Sequence, residues 1–297
     1  MSRVAVVTGS NKGIGFAIVK GLCQRFDGIV YLTSRDEKRG MEALAQLKKI
    51  GLNPKYHQLD VADRDSVLRF RDHIKENHGG LDILINNAAI GDSGFSSSSY
   101  DNSKNVIDIN FKSAITMQEL IYPLVRNNGR ILNISSDCGH LSNLRNKYWI
   151  ERLSKKDLKI EDLYEFVDWF LESKKNGTFN SEDFVDGGTI VAYRVAKIAL
   201  SAVTMIQQKE LEGRNISVNS MHPGLVRTDM TTGVGFYSTD QAAETPLYLV
   251  LDAPQTLKGA YVWFDRKVLD CNCIPHSVLY RASAAGRIKA SVQSMPC

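Results

Sequence analysis

The chain has no apolar run near the roughly 18 residues that a membrane-spanning helix needs. No secretory leader is expected either. Met1-Ser2-Arg3 passes straight into Val4-Ala5-Val6-Val7, shorter than a signal core of about 7–15 residues. Five cysteines in 297 residues are scattered and odd in number, which does not suit a disulfide framework. The expected setting is therefore the reducing cytoplasm, and the Asn133, Asn176 and Asn215 glycosylation-like triplets are read as chance. Charge of one sign is also lacking. Lys and Arg number 37 against 33 Asp and Glu, a formal net charge of +4, and no block of like charge marks a nucleic-acid or membrane surface. Neither repeats nor low-complexity linkers divide the chain. At 43% hydrophobic and 24% charged residues it can bury a large core as one domain.

Metal and nucleophile signals are thin. Cys271-x-Cys273-x-x-His276 is too short in spacing and too poor in ligands for a zinc site, so no metal is expected. Cys138 and His140 have no evident third group to orient them as a nucleophilic pair, and are read as a loop lining a cleft. Cys297 is the last residue, whereas a prenylation signal puts Cys fourth from the end.

What is present is an alternation of strands and helices. Strands are expected at Val4–Val7, Ile29–Thr33, Lys55–Leu59, Leu81–Ile85, Arg130–Ile134, Ile216–Ser220 and Tyr261–Phe264. Between them run helical patterns: Phe16 to Phe26, Glu42–Lys49, Ser66–Ile74, about Asn102 to Leu124, and Ala192–Leu211. Such alternation predicts an α/β fold, a parallel sheet with helices on both faces. Ligands then bind outside the carboxyl ends of the strands. Gly9, Arg35, Asp60, Asn87, Ser136 and Pro223-Gly224 follow those ends and are expected at one crevice. Residues 141–188 interrupt the pattern with a charged, partly helical insertion (Leu163, Phe166, Val167, Phe170), and 271–297 form an extension beyond a 1–270 domain.

The first strand meets the first helix through Thr8-Gly9-Ser10-Asn11-Lys12-Gly13-Ile14-Gly15. Glycines allow a tight turn and close approach of a pyrophosphate to the backbone, and the helix N-terminus adds amide donors. At the end of the second strand an acid would hold the free ribose hydroxyl of NAD, while Arg suits a 2′-phosphate. Here Ser34 is neutral and Arg35 basic, and Lys12 is expected to close on the same phosphate, so NADPH is the expected cofactor. An inward Asp36 carboxylate would soften that preference.

Tyr193 and Lys197 stand four apart, on one face of a helix that is apolar nearly all round. An ammonium beside a phenol favours the phenolate and lowers a Tyr pKa from about 10, making it usable as an acid or base. That spacing alone is common by chance.

Taken in order, the glycine turn, Asn86-Asn87-Ala88, Ser136, Tyr193/Lys197 and Pro223-Gly224 resemble the short-chain dehydrogenase/reductase family over about residues 3 to 265. Within it the chain is most similar to the monomeric animal NADPH-dependent carbonyl reductases, through such stretches as Leu32-Thr-Ser-Arg-Asp36 and Pro223-Gly-Leu-Val-Arg-Thr-Asp-Met230. The resemblance implies a Rossmann-type doubly wound sheet and NADPH-dependent reduction of ketones, aldehydes and quinones. It implies that Tyr193 donates the proton, Lys197 binds the nicotinamide ribose and lowers the Tyr pKa, and Ser136 orients the carbonyl. Ser135, by strand alternation, points elsewhere. Asn110 would kink a helix and hold a relay water. Asp60 and Val61 would frame the adenine, Asn87 would flank its ribose, and Pro223, Gly224, Val226 and Thr228 would wall the nicotinamide and phosphates. The long insertion before Tyr193 would cover the helix face that relatives use to dimerise, implying a monomer acting on small carbonyl compounds. Ala89 departs from the family's Gly. A narrower steroid, prostaglandin or pterin oxidoreductase, and a silent dinucleotide-binding regulator, are the alternatives.

Overall fold

Residues whose side chains cannot reach water on either face make the sheet. The computed structural model describes residues 2–92, 99–188 and 190–269. β1 (Val4–Val7) is buried throughout. β2 (Ile29–Ser34), β3 (Lys55–Gln58), β4 (Leu81–Asn86), β5 (Val125–Ile134), β6 (Ser217–Met221), β7 (Tyr261–Val262) and β8 (Val268–Leu269) complete a sheet of order β3-β2-β1-β4-β5-β6-β7-β8. Every neighbouring pair is parallel except β7 with β8. The order reverses between β1 and β4, and that switch point opens the crevice at the strands' carboxyl ends.

On one face pack α1 (Gly13–Arg25) and α9 (Thr239–Leu251), with Ile18, Leu22, Leu247 and Val250 in a single apolar layer beneath them. On the other lie α3 (Arg64–His78) and α5 (Ser113–Leu120), over Phe70, Ile74, Met117 and Leu120. α2 (Glu37–Lys49) flanks the β2–β3 edge. Local chemistry sets the ends. The Asp36 carboxylate caps α2 by accepting from the Arg39 amide, Asp63 caps α3, and Gly79 ends α3 at φ 66°.

The expected helix from Asn102 to Leu124 is broken up. α4 (Tyr100–Ile107) runs into a five-residue π turn, Asp108–Lys112, before α5, and a 3-10 turn at Tyr122–Leu124 ends the segment. β5 begins at Val125 rather than Arg130, because turn-like Asn127-Asn128-Gly129 is absorbed by a register shift opposite Leu81/Ile83, with Asn128 at φ 63°. The last expected strand stops at Val262, where the chain turns through Arg266 (φ 69°) and returns as β8. α9 was not legible: Pro246 lies inside it, although Ser238 and Gln241 form a capping box at its start. The guanidinium of Arg130 closes its far end, donating to the carbonyls of Leu249 at 2.8 Å and Ala253 at 2.6 Å.

The insertion is ordered around its own apolar stripe. α6 (Lys147–Leu153) and α7 (Ile160–Asn176) bring Leu163, Phe166, Val167 and Phe170 into one cluster with Trp149, Phe184, Val106 of α4, and Val195 and Ala199 of α8 (Val191–Leu211). The extension 271–297, with its Cys271, Cys273 and His276, lies outside the described residues.

Candidate active site

The glycine turn is fixed from behind by a side-chain lock between β1 and β4. Thr8 Oγ1 accepts from the amides of Asn87 and Ala88, each at 3.0 Å, and Asn87 Nδ2 donates to the carbonyls of Thr8 at 2.9 Å and Gly9 at 3.0 Å. Gly9 sits at φ +60°, and a Cβ there would stand 2.7 Å from Ala88 Cα, so only glycine fits. α1 then starts without a side-chain cap at Lys12 and without an acid in its first turn, which leaves its amide donors to an external anion. A Cβ on Gly13 would meet only Thr228 Cγ2, at 3.7 Å, so the turn has room above it. Open donors, a positive helix end and free space suit a pyrophosphate.

Ser136, Tyr193 and Lys197 come together beyond β5. Ser136 is 8% exposed, and its hydroxyl stands close enough to the Tyr193 phenol to favour the phenolate. It also donates to Asp137 Oδ1 at 2.8 Å and accepts from the Cys138 amide at 3.3 Å. Ser135 is spent elsewhere, on the Ser201 hydroxyl at 2.7 Å and the Lys197 carbonyl, as alternation predicts. Lys197 Nζ lies 5.6 Å from the Tyr193 ring centre and donates to the Ile134 carbonyl at 2.7 Å. Burial lowers its pKa to about 8. One expectation needs correcting. The Tyr193 phenol stands above its ordinary pKa, not below, because burial dominates and the nearby Cys138 and Asp137 add to it, with only the Ser136 hydroxyl opposing. Asn110 occupies the π turn and grips the backbone of Ile90, accepting from its amide at 2.9 Å and donating to its carbonyl at 2.8 Å. The break in the helix is thus found where Asn110 was expected to make it.

The cofactor residues divide into wall and frame. Arg35 is exposed, 4.0 Å from Asp60. Lys12 is exposed too, but its ammonium is paired with Asp229 at 2.7 Å rather than with Arg35's side of the crevice. Ser34 is turned inward: its hydroxyl donates to the Asp36 carbonyl at 2.7 Å and only 1% of the residue is exposed, so it contributes neutrality, not contact. Asp36 turns to its own helix and to Arg39, at 3.8 Å, and therefore does not put a carboxylate into the crevice. Asn87 is likewise a frame residue, its amide consumed by the glycine turn. Asp60 organises its own turn through the Ala62 amide, and Val61 is buried beside it. Asn11, Ile14 and Gly15 complete the turn and first helical residues. Pro223 and Gly224 (φ +86°) follow β6 under the Tyr237 ring, Val226 is buried, and Thr228 opens a capped 3-10 turn. Ala89 is not in the left-handed region, so its methyl carries no conformational cost.

Residues 3–148 and 182–235 match the short chain dehydrogenase family. The chain belongs to that family. The gap in the match, 149–181, falls within the insertion that carries α6 and α7. Among curated relatives of this dehydrogenase, carbonyl reductase (NADPH) 3 of Mus musculus is 38% identical over 260 residues, covering 85% of this chain and 92% of its own. Carbonyl reductase (NADPH) 1 of Bos taurus is 38% identical over 269 residues, 87% and 94% of the two chains. Among solved structures, salutaridine reductase of Papaver somniferum superposes with a TM-score of 0.79 at 30% identity, over 89% of this chain and 99% of its own. Menthone neomenthol reductase of Mentha piperita gives 0.73 at 30% identity, with the same coverage.

Several residues of the dehydrogenase's site carried no signal in the sequence. Asp137 and His222 meet behind Ser136, with the Asp137 amide donating to His222 Nδ1 at 2.9 Å, although 85 positions separate them. The Cys138 thiol is buried and pushed up to about 12, and His140 Nδ1 bonds the Ser142 hydroxyl at 2.8 Å. Both side chains are buried. Among the described residues no cluster of His, Cys, Asp and Glu could hold a metal ion, and no helix is long and apolar enough to cross a membrane.

Proposed function

We propose that this chain is an NADPH-dependent carbonyl reductase that converts ketones, aldehydes and quinones to alcohols. The single observation that carries the reading is the meeting of Ser136, Tyr193 and Lys197 at the open end of the sheet, next to an uncapped glycine-turn helix. The curated relatives are named for the same activity and cofactor. The glycine turn from Gly9 to Gly15, with Asn11, Lys12 and Ile14, holds the pyrophosphate, and Arg35 takes the 2′-phosphate. When bound, NADPH supplies the hydride that the protein's side chains cannot.

The chain's own residues supply position and the proton. Ser136 and Tyr193 stand close together, so a carbonyl oxygen entering between them meets the Tyr193 donor, and the Ser136 hydroxyl becomes a second one by rotating away from Asp137. Tyr193 keeps its proton at neutral pH, as an acid must, and gives it to the developing alkoxide. Lys197, tied to the Ile134 carbonyl, sets a cation behind the phenol that stabilises phenolate once the proton has gone. Asn110 holds the Ile90 backbone against the π turn beside this group, which is why we assign it to the catalytic set. The insertion seals α4 and α8 under α7, an apolar face with its partner already in place, which supports a monomer. Scattered, partly buried cysteines are consistent with a cytoplasmic enzyme.

The test follows NADPH absorbance with menadione, acetophenone and cyclohexanone. Turnover by the native chain and its loss in Tyr193→Phe supports the reading; equal rates in the two proteins contradict it.

A further inference from the structure

Tyr193 is followed on α8 by a second buried cation. Arg194 is 7% exposed, and burying a guanidinium is unfavourable unless its hydrogens are engaged. It donates to Asp186 Oδ2 at 3.1 Å and to the side-chain oxygen of Asn143. A guanidinium carries donors only, so it fixes which way the Asn143 amide faces. The oxygen turns to Arg194, and Nδ2 is left to donate to the carbonyls of Asp137 at 2.8 Å and His140 at 2.9 Å. Those carbonyls belong to the turn that begins at Ser136. Within it the Gly139 amide donates to the Ser136 carbonyl at 2.8 Å, and the His140 amide to the Asp137 carbonyl at 3.2 Å. From the sheet, the Tyr261 hydroxyl donates to the Ser136 carbonyl at 2.6 Å, and His222 Nδ1 accepts from the Asp137 amide at 2.9 Å. On the α8 side the turn is packed closely, since a Cβ on Gly139 would stand 2.8 Å from the Lys197 carbonyl oxygen. Arg194 and Asn143 supply a polar tie from that helix.

The two partners of Arg194 come from opposite ends of the insertion. Asn143 precedes its helices and Asp186 follows them. Between these points the two ends pair with each other: Leu144 bridges to Phe184, and the Arg145 amide donates to the Asp183 carbonyl at 2.8 Å. One guanidinium therefore joins the insertion, the Ser136 turn and the helix of Tyr193. We propose that Arg194 is a positioning residue: by fixing the Asn143 amide it holds the turn that carries Ser136 in register with Tyr193, its own neighbour in the chain. This rests on the reading of Ser136 and Tyr193 as the two groups that meet the carbonyl oxygen. Arg194 itself touches neither the substrate nor the cofactor. It acts through two hydrogen bonds in series, guanidinium to Asn143 and Asn143 to the Asp137 carbonyl, one residue beyond Ser136.

A double-mutant cycle on kcat for acetophenone, at saturating NADPH, tests this. Arg194→Met keeps an apolar stem and removes the donors. Its kcat is expected to fall at least about tenfold, since a misplacement of about 1 Å can cost about 10²-fold, while NADPH affinity by fluorescence stays native. In a Ser136→Ala background the same substitution is expected to change kcat by less than about twofold, because no hydroxyl is left to place. An Arg194 that served the fold alone would give equal losses in both backgrounds. Asn143→Ala breaks the path at its second bond, gives the same pattern, and replaces Arg194→Met should that variant not accumulate. Native kcat in these variants, or equal losses with and without the Ser136 hydroxyl, overturns this inference alone, provided that Ser136→Ala is impaired and Tyr193→Phe inactive. Native kcat in Ser136→Ala or in Tyr193→Phe overturns the underlying reading as well.

Discussion

Lys197 is an ammonium kept where a hydrocarbon would be cheaper, and that cost is measurable. It is 2% exposed on a helix whose neighbours are Val195, Ala196, Ile198, Ala199 and Leu200. Its pKa falls from 10.5 to about 8 in the folded chain. The unfolded chain therefore binds a proton more tightly than the folded one. Below pH 8 the group costs the fold its full shift, about 3 kcal/mol at 1.36 kcal/mol per unit. Between pH 8 and 10.5 the unfolded state carries more protons, so stability rises with pH and the cost is relieved. Replacement by Met removes this term. It also leaves the Ile134 carbonyl without its 2.7 Å donor, at about 1–3 kcal/mol independent of pH. Lys197→Met is therefore expected near or above native stability at pH 7. Its advantage shrinks by about 2 kcal/mol on going to about pH 9.5. Urea unfolding of both proteins at the two pH values reads the difference directly. A stability difference that does not change with pH refutes the burial argument.

Other substitutions test separate parts of the site. Arg35→Ser is expected to raise the KM for NADPH about tenfold with little change for NADH, since it removes a charge-assisted phosphate contact; equal effects on both cofactors contradict the 2′-phosphate assignment. Gly9→Ala is expected to cost at least about 1 kcal/mol for its φ of +60°, and more because its methyl meets Ala88 Cα at 2.7 Å, lowering the thermal midpoint and NADPH affinity together. Asn110→Ala deletes both side-chain bonds to Ile90, and is expected to lower kcat far more than NADPH affinity.

The sheet was legible because buried parallel strands are continuous apolar runs, as in Val4–Val7 and Ile83–Ile85. The elements that escaped did so for physical reasons. Pro246 marks a break by local rule but is tolerated inside α9, which packs on α1. β8 is two residues long and pairs in the opposite sense, a signal too short to read. At the site, Ser136, Tyr193 and Lys197 were legible from their order along an alternating chain. Which side chains would be consumed internally was not. Ser34, Asn87 and Lys12 all stand at the crevice, yet a buried hydroxyl, a bidentate amide and an exposed ion pair engage them first. Asp137 and His222 are far apart in sequence and meet only because β5 and β6 are neighbours. The raised Tyr193 pKa follows from burial, which spacing cannot reveal.

In the proposed mechanism Tyr193 is the proton donor of a reductase whose cofactor is held independently by the glycine turn. The most direct test is Tyr193→Phe, compared with the native chain for NADPH affinity by fluorescence and for acetophenone reduction. Affinity is expected to be unchanged and the rate lower by about 10²–10⁴-fold, the range for a general acid. Reduction at the native rate by the Phe variant contradicts it.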